Sequence, residues 1–364
     1  MRKAIFILIL SLILVPALFA QVELKHYGFL KGDMVYVTKS VASFSAENLS
    51  ASQLAAGIDN PALGFTAQHS RFGLKGTAGD AIKVGGTLEL DFFWGGFDAN
   101  ARPRIRLAFA SMAKGNMEVR FGQQWDLFSP LNPMTNNTNG NLWYAGNHGF
   151  RRAQIQFHYK MPMVNMTPML QLSLGEAAKE AEGLGADNKA AFPMIQGRLS
   201  NKFMNKHTIG VYFVYAKFDP NPDLDDDEYN TSGFGLDFDF QFSPMLALKG
   251  EFNSGTNLNN SNLFTIAGNG LADVDKKSMG FWVNAISKPS SKVNFVLGYG
   301  MDNNQTDNLA AGATESNSAI YGDIIFPFGN GFSIALEVEN ISTKIKGGDT
   351  NSALVFDIAG ILNF

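Results

Sequence analysis

Ser352-Ala353-Leu354-Val355-Phe356-Asp357-Ile358-Ala359-Gly360-Ile361-Leu362-Asn363-Phe364 ends the chain, and its reading decides the architecture. Every second residue from the end, Phe364, Leu362, Gly360, Ile358, Phe356 and Leu354, gives an apolar and aromatic face. The intervening set, Asn363, Ile361, Ala359, Asp357, Val355 and Ala353, is mixed and carries a carboxylate at its centre. A period of two is that of a β-strand. A long amphipathic strand with Phe as its last residue is rare at the end of a water-soluble chain. It is what closes a transmembrane barrel against its own first strand.

The opposite end agrees. Met1-Arg2-Lys3 is a short positive region, Ala4 to Val15 an apolar run, and Pro16-Ala17-Leu18-Phe19-Ala20 precedes Gln21. This is the pattern of a signal peptide, with cleavage expected after Ala20. The run is too short to span a bilayer as a helix, which takes roughly 20 apolar residues. The expected organisation is therefore a signal peptide, 1–20, and one barrel domain, 21–364. The absence of cysteine excludes disulfides, thiolate catalysis and Cys-based metal sites. A formal charge of −4 gives no electrostatic basis for binding nucleic acid. No segment after residue 20 is long and apolar enough for a spanning helix, yet the chain holds 31 Phe. Apolar residues spread over short alternating segments leave a closed barrel as the way to satisfy every backbone hydrogen bond inside a membrane.

Sixteen strands are expected, at about 24–37, 65–76, 82–93, 102–112, 116–124, 151–160, 167–174, 192–200, 207–217, 231–242, 245–254, 277–286, 292–300, 317–326, 331–340 and 352–364. A merged or split pair would make fourteen or eighteen. Phe234, Leu236, Phe238, Phe240 and Phe242 oppose Gly235, Asp237, Asp239 and Gln241. Phe332, Ile334, Leu336 and Val338 oppose Ser333, Ala335, Glu337 and Glu339. The connections alternate in length: 38–64, 125–150, 175–191, 218–230, 255–276, 301–316 and 341–351 are long, 94–101 is modest, and those between are tight. Long loops outside, tight turns on the periplasmic side and an even strand count characterise outer-membrane barrels. A soluble β-sandwich has no reason for such an alternation. The fold class expected is all-β, a transmembrane antiparallel barrel of the Gram-negative outer membrane.

The same alternation assigns the lumen. With Ile105, Leu107 and Phe109 facing lipid, Arg102, Arg104 and Arg106 face inward. Phe72 and Leu74 outside put Arg71 and Lys75 inside. Met117, Val119 and Phe121 outside put Arg120 inside. Ile155, Phe157 and Tyr159 outside put Arg152, Gln154, Gln156 and His158 inside. An Arg on the lipid face at mid-bilayer costs about 2–4 kcal/mol, which supports the assignment. Asp237, Asp239, Glu251, Glu337 and Glu339 are the inward acids of the later strands, while Glu89, Asp91 and Glu118 sit among the basic rungs. Either these charges neutralise one another and hydrate the lumen, or a basic wall faces an acidic one and the transverse field favours anions.

Connection 125–150 carries Trp125, Phe128, Trp143 and Tyr144, two prolines, the amide tract Asn136-Asn137-Thr138-Asn139, and Asp126 as its one acid. Folded back into the lumen it would pack these rings on the wall and narrow the pore, with Gln124, Trp125, Asp126, Trp143 and Tyr144 at the constriction. The alternative is an outside loop that touches a neighbouring protomer or the membrane surface.

Several short motifs resemble DcaP-type porins. Tyr27-Gly28-Phe29-Leu30-Lys31-Gly32-Asp33 is similar to their first strand and Ser70-Arg71-Phe72-Gly73-Leu74-Lys75-Gly76 to their second. Phe121-Gly122-Gln123-Gln124-Trp125-Asp126-Leu127-Phe128 resembles their approach to the third loop, and Arg151-Arg152-Ala153-Gln154-Ile155 the strand after it. Asn317 and Glu337 stand where the last hairpin of that family has Asn and Glu. The resemblance implies a trimeric sixteen-stranded diffusion porin with a third-loop constriction and a preference for small anions such as dicarboxylates. The rung residues other than Arg71 and Arg152 match by position only.

Other chemistries find less support. Asp219, Asn221, Asp223 and Asp225 have a spacing that suits Ca²⁺, but Leu224 and Asn230 stand where an EF-hand needs Gly and Glu, so a solvated acidic loop is expected and no metal site. No Gly-x-Ser-x-Gly occurs, and of the five histidines His148 in the third loop and His158 on an inward rung have no motif-linked serine, so no enzyme is expected. No cofactor is expected. A channel for hydrophobic solutes would want an apolar lumen and an N-terminal plug. An adhesive barrel would carry fewer inward arginines.

Overall fold

In the computed structural model, residues 22–39, 41, 60–93, 100–137, 141–177, 192–218, 229–267, 275–307 and 309–364 are described. The expected signal peptide, the acidic loop 219–228 and residues 138–140 of the third loop lie outside them. Seventeen strand segments follow one another: β1 Glu23–Val37, β2 Ala62–Thr66, β3 Arg71–Ala78, β4 Lys83–Asp91, β5 Arg104–Lys114, β6 Met117–Trp125, β7 Arg151–Lys160, β8 Met166–Gly175, β9 Met194–Phe203, β10 His207–Phe218, β11 Tyr229–Ser243, β12 Leu246–Thr256, β13 Lys277–Ser287, β14 Asn294–Asn304, β15 Thr314–Gly329, β16 Phe332–Ile345 and β17 Thr350–Asn363. Apart from β2 and β3, which both pair with β1, consecutive segments pair antiparallel with one another. β17 returns to β1 in the register Phe29↔Asn363 to Val37↔Val355.

The segments make sixteen staves, because β2 and β3 lie end to end on one strand. β1 pairs Asp33–Val37 with β2 and Glu23–Phe29 with β3. The single strand expected over 65–76 is thus broken at Ala67–Ser70. Ser70 fills the gap: its Oγ accepts the N–H of Lys31 at 3.0 Å, where the ladder has no backbone partner. The break changes phase, so the outward residues switch from odd (Leu63, Phe65) to even (Phe72, Leu74).

Closure is completed by the last residue. Gly28 N–H donates to Phe364 O at 3.2 Å and Phe364 N–H to Gly28 O at 3.1 Å. A Cβ at Gly28 would stand 2.1 Å from the Arg71 carbonyl oxygen, so only glycine fits where three staves meet. The Phe364 ring packs on Phe72 at 5.5 Å.

Burial is inverted relative to a water-soluble protein. Large exposed side chains include Leu74, Phe121, Ile155, Val211, Phe213, Phe234, Leu236, Ile320, Phe356 and Ile358, while Gln156, Gln196, Asp237, Asn284, Asp302 and Asp357 are buried. Apolar out and polar in, on strands paired into a closed sheet, is the solution a bilayer demands.

The connections keep the expected asymmetry with one correction. The loop expected over 341–351 shrinks to the four residues between Ile345 and Thr350, because β16 and β17 run longer than their alternation suggested. β5 supplies a second correction. Glu89 pairs with Leu107 and Leu90 with Ile105, so Arg106 is an extra residue, a β-bulge. Beyond it the facing flips: Ile105 points out, but Leu107 and Phe109 point into the lumen, not to lipid. Arg102 precedes β5 and is exposed, and so occupies no rung.

Candidate functional site

The third loop, between β6 and β7, folds into the barrel and crosses it. Its path follows a series of polar side chains on the far wall. The N–H groups of Leu127 and Phe128 both donate to Gln196 Oε1 on β9, each at 2.9 Å. On β12, Glu251 accepts the Leu131 N–H at 2.6 Å and the Ser129 hydroxyl at 2.6 Å. On β13, Asn284 Oδ1 accepts the Met134 N–H at 2.9 Å, and Tyr321 of β15 donates to the Met134 carbonyl at 2.8 Å. At the turn of the loop Glu337 of β16 accepts the Asn136 N–H at 2.7 Å. The returning limb is held by Asn317 Nδ2 on Tyr144 O at 3.0 Å, by Asn253 Nδ2 on Gly146 O at 3.2 Å, and by His148 Nε2 against Asp302 Oδ2 at 3.2 Å. Gly146 has φ +105°, and a Cβ there would meet the Phe281 carbonyl at 2.1 Å. Phe128 packs among Tyr212, Met194, Leu258 and Leu263, and Leu142 among Trp282 and Tyr321. A loop without secondary structure must satisfy its N–H groups elsewhere. Here the barrel wall supplies the acceptors.

Asp126 fixes the start of the loop. Arg152 forks onto it at 2.7 and 2.8 Å, and Gln196 Nε2 donates to it at 2.8 Å. Arg152 also donates to the Glu176 and Ser261 carbonyls at 2.8 Å each. Trp125 lies between two guanidinium groups, Arg151 at 4.8 Å and Arg106 at 5.9 Å. Gln124 is buried and lines the cavity below the loop. Trp143 and Tyr144 are not among the residues lining that cavity. Both pack on Phe264 of the outside loop after β12, Trp143 stacked at 4.4 Å and Tyr144 edge-on at 5.3 Å. Burial raises the Tyr144 phenol pKa above its ordinary value.

The cations on β3 to β7 are interleaved with acids and rings. Arg71 is 3.8 Å from Glu89. Arg104 forks onto Asp91 at 2.9 and 2.6 Å. Arg106 bridges Glu89 at 2.8 Å and Asp91 at 2.9 Å. Arg120 forks onto Glu118, both bonds 2.9 Å. Lys75 lies 4.8 Å over the Tyr27 ring and forms no ion pair with the described residues. The side chains of Arg71, Arg104 and Arg120 remain 19%, 24% and 30% exposed, whereas Asp91 is fully covered and Glu89 nearly so.

On the far wall Asp237 is neutralised by Arg198, which forks onto it at 2.8 and 2.7 Å. Asp239 is half-buried and accepts from Gln241 at 2.5 Å. Glu251 and Glu337 direct their oxygens at the loop, and Glu339, two residues along β16 from Glu337, is buried. Asp323, Glu337 and Asp357 form a row of directly opposed cross-strand partners, with Lys31, itself paired to Asp33, nearby. Sequence reasoning missed Gln196, Arg198, Asn284 and Asp302. Gln196, Arg198 and Asn284 share the inward parity of their expected strands, so the alternation that found Asp237 would have found them, whereas Asp302 lies past the expected strand end at 300, where β14 continues to Asn304.

This barrel, spanning in sixteen staves and narrowed by an inward third loop, has the porin fold. Among solved structures it is similar to the outer membrane channel DcaP of Acinetobacter baumannii, with a TM-score of 0.79 and 20% identity over 95% of this chain and 98% of that one. It is also similar to the anion-selective porin from Comamonas acidovorans, with a TM-score of 0.62 and 15% identity over 94% and 100%. OmpT of Vibrio cholerae, in a trimer form, gives a TM-score of 0.59 and 12% identity over 95% and 100%. No family model and no curated protein matches the sequence.

Proposed function

We propose that this chain is an outer-membrane diffusion channel for small hydrophilic solutes, preferring anions such as carboxylates and working as a homotrimer after removal of residues 1–20. One observation carries the preference. Arg71, Arg104 and Arg120 of the near wall keep contact with lumen water although Arg106 and Arg152 are buried, while Glu251, Glu337 and Glu339 are no more than 4% exposed. Charges in water set the field an ion meets on entry, and buried charges bonded to a loop contribute less. The likeness to an anion-selective porin and to an outer membrane protein in trimer form supports the reading. The ion pairs on Arg104, Arg106 and Arg120 favour a second reading, a pore of weak selectivity.

The reversal potential of the reconstituted channel across a salt gradient decides between them. Anion preference at low salt, fading as salt rises, is expected, because the Debye length falls from about 10 Å at 0.1 M to about 3 Å at 1 M. A cation-selective channel at low salt refutes the preference and leaves the channel reading intact.

A further inference from the structure

Below the third loop, between it and the strands β3 to β8, lies a cavity of about 540 Å³. Its lining is unlike that of a purely aqueous ion path. The bulge at Arg106 turns Leu107 and Phe109 into it, and the loop adds Leu127 and Pro130. With Tyr27 and Trp125, the side chains of Leu107, Phe109 and Pro130 stay half-exposed, while Leu127 is buried behind them. Such side chains facing a wet lumen gain from a solute that covers them. Thr87, Ser111, Gln156 and Gln171 add polar groups to the same cavity, and pockets of this size that combine apolar surface with placed polar groups are those that hold small molecules.

The charges of the cavity are unequal in availability. Glu89 is held by the Tyr27 hydroxyl at 2.9 Å and by Arg106. Glu118 is held by Arg120, and Asp126 by Arg152. Lys75 is the cation left without a carboxylate among the described residues. Arg120 lies 5.5 Å over the Phe109 ring, so charge and aromatic surface occur side by side here as they do at Lys75 and Tyr27.

We infer that this cavity is a binding site on the solute path for aromatic monocarboxylates, with the carboxylate on Lys75 and the ring against Phe109 and its apolar neighbours. The inference rests on the anion-channel reading and narrows it from charge alone to charge with an apolar body. An acetate ion meets only the lysine, and a benzoate ion also covers Phe109 and Leu107. A site of this kind slows its solute in transit, so bound solute interrupts the small-ion current.

The test uses the full mature chain in planar bilayers, with sodium benzoate or sodium acetate added at equal ionic strength. Benzoate should block the potassium chloride current at about one-tenth the concentration acetate needs, a ratio ring contacts supply. Phe109→Ala should bring the two within about twofold, and Lys75→Gln should weaken block by both. Should Phe109→Ala fail to assemble, Leu107→Ala takes its place with the same expectation. Equal block by benzoate and acetate in the native channel overturns the site, as does a tenfold gap that survives both apolar substitutions. A cation-selective reversal potential would instead strike the underlying anion reading, so the two failures are told apart.

Discussion

The backbone N–H of Leu131 meets Oε1 of Glu251 at 2.6 Å, tying the third loop to a strand 120 residues further along the chain. The same carboxylate accepts the Ser129 hydroxyl at 2.6 Å and the Trp282 indole N–H at 3.0 Å. A residue that alternation alone assigns to the electrostatics of the lumen is thus committed to positioning. Glu251→Ala strands the Leu131 and Trp282 N–H groups, while the Ser129 hydroxyl keeps Asn147 Oδ1 at 3.2 Å, and a buried donor without a partner costs about 1–3 kcal/mol. The expected outcome is a loop that leaves its track, seen as a noisier and larger single-channel current. Glu337→Ala, which frees the loop turn at Asn136, should act in the same direction and less strongly.

Asp126 and Arg152 offer a stability test. Both are buried, and removing one partner of such a pair costs about 3–5 kcal/mol. Asp126→Asn should fall at the lower end, since Arg152 keeps its bonds to the Glu176 and Ser261 carbonyls. The temperature at which the folded band is lost in a heat-modifiability gel should drop clearly. An unchanged temperature would mean that water or another group compensates Arg152.

Phe364 bonds Gly28 through both its backbone groups and packs on Phe72. Deleting it removes the last rung of the seam and an outward aromatic ring. Yield of folded barrel in the outer membrane should fall far more than on shortening the tight Lys346–Asp349 connection by one residue. Equal yields would show that the seam closes without it.

Arg104→Glu with Arg120→Glu replaces two water-accessible cations on the near wall. The reversal potential at 0.1 M salt should move toward cations, and the shift should shrink at 1 M, where the Debye length is about 3 Å. A shift of equal size at both concentrations would place the selective charges in a space that salt does not screen.

The sequence made the barrel legible because period two survives along nearly every stave and the loop lengths are asymmetric. It failed where both parities are apolar. Along 105–112, Ile105, Leu107 and Phe109 compete with Ala108, Ala110 and Met112, so the bulge at Arg106 left no trace in hydropathy and two side chains were assigned to the wrong face. The break at 67–70 did leave a trace: the outward residues change from Phe65 to Phe72, odd to even. The inward course of the third loop was readable from its rings. Its docking partners were not, since Glu251, Glu337 and Asn284 look in sequence like any other polar rung. Only the fold shows that their oxygens face backbone N–H groups and not water. For the same reason the packing of Trp143 and Tyr144 on Phe264 could not be read from their place in the loop.

The claim on which the rest depends is that the third loop lies across the lumen and limits it. Single-channel conductance of the native channel, compared with a variant in which residues 130–142 are replaced by a short glycine-serine linker, tests it most directly. The structure predicts a clear rise in conductance, with Asp126 and Arg152 retained so that the barrel still folds. Unchanged conductance in a correctly folded variant would contradict it and make the loop an outside contact surface.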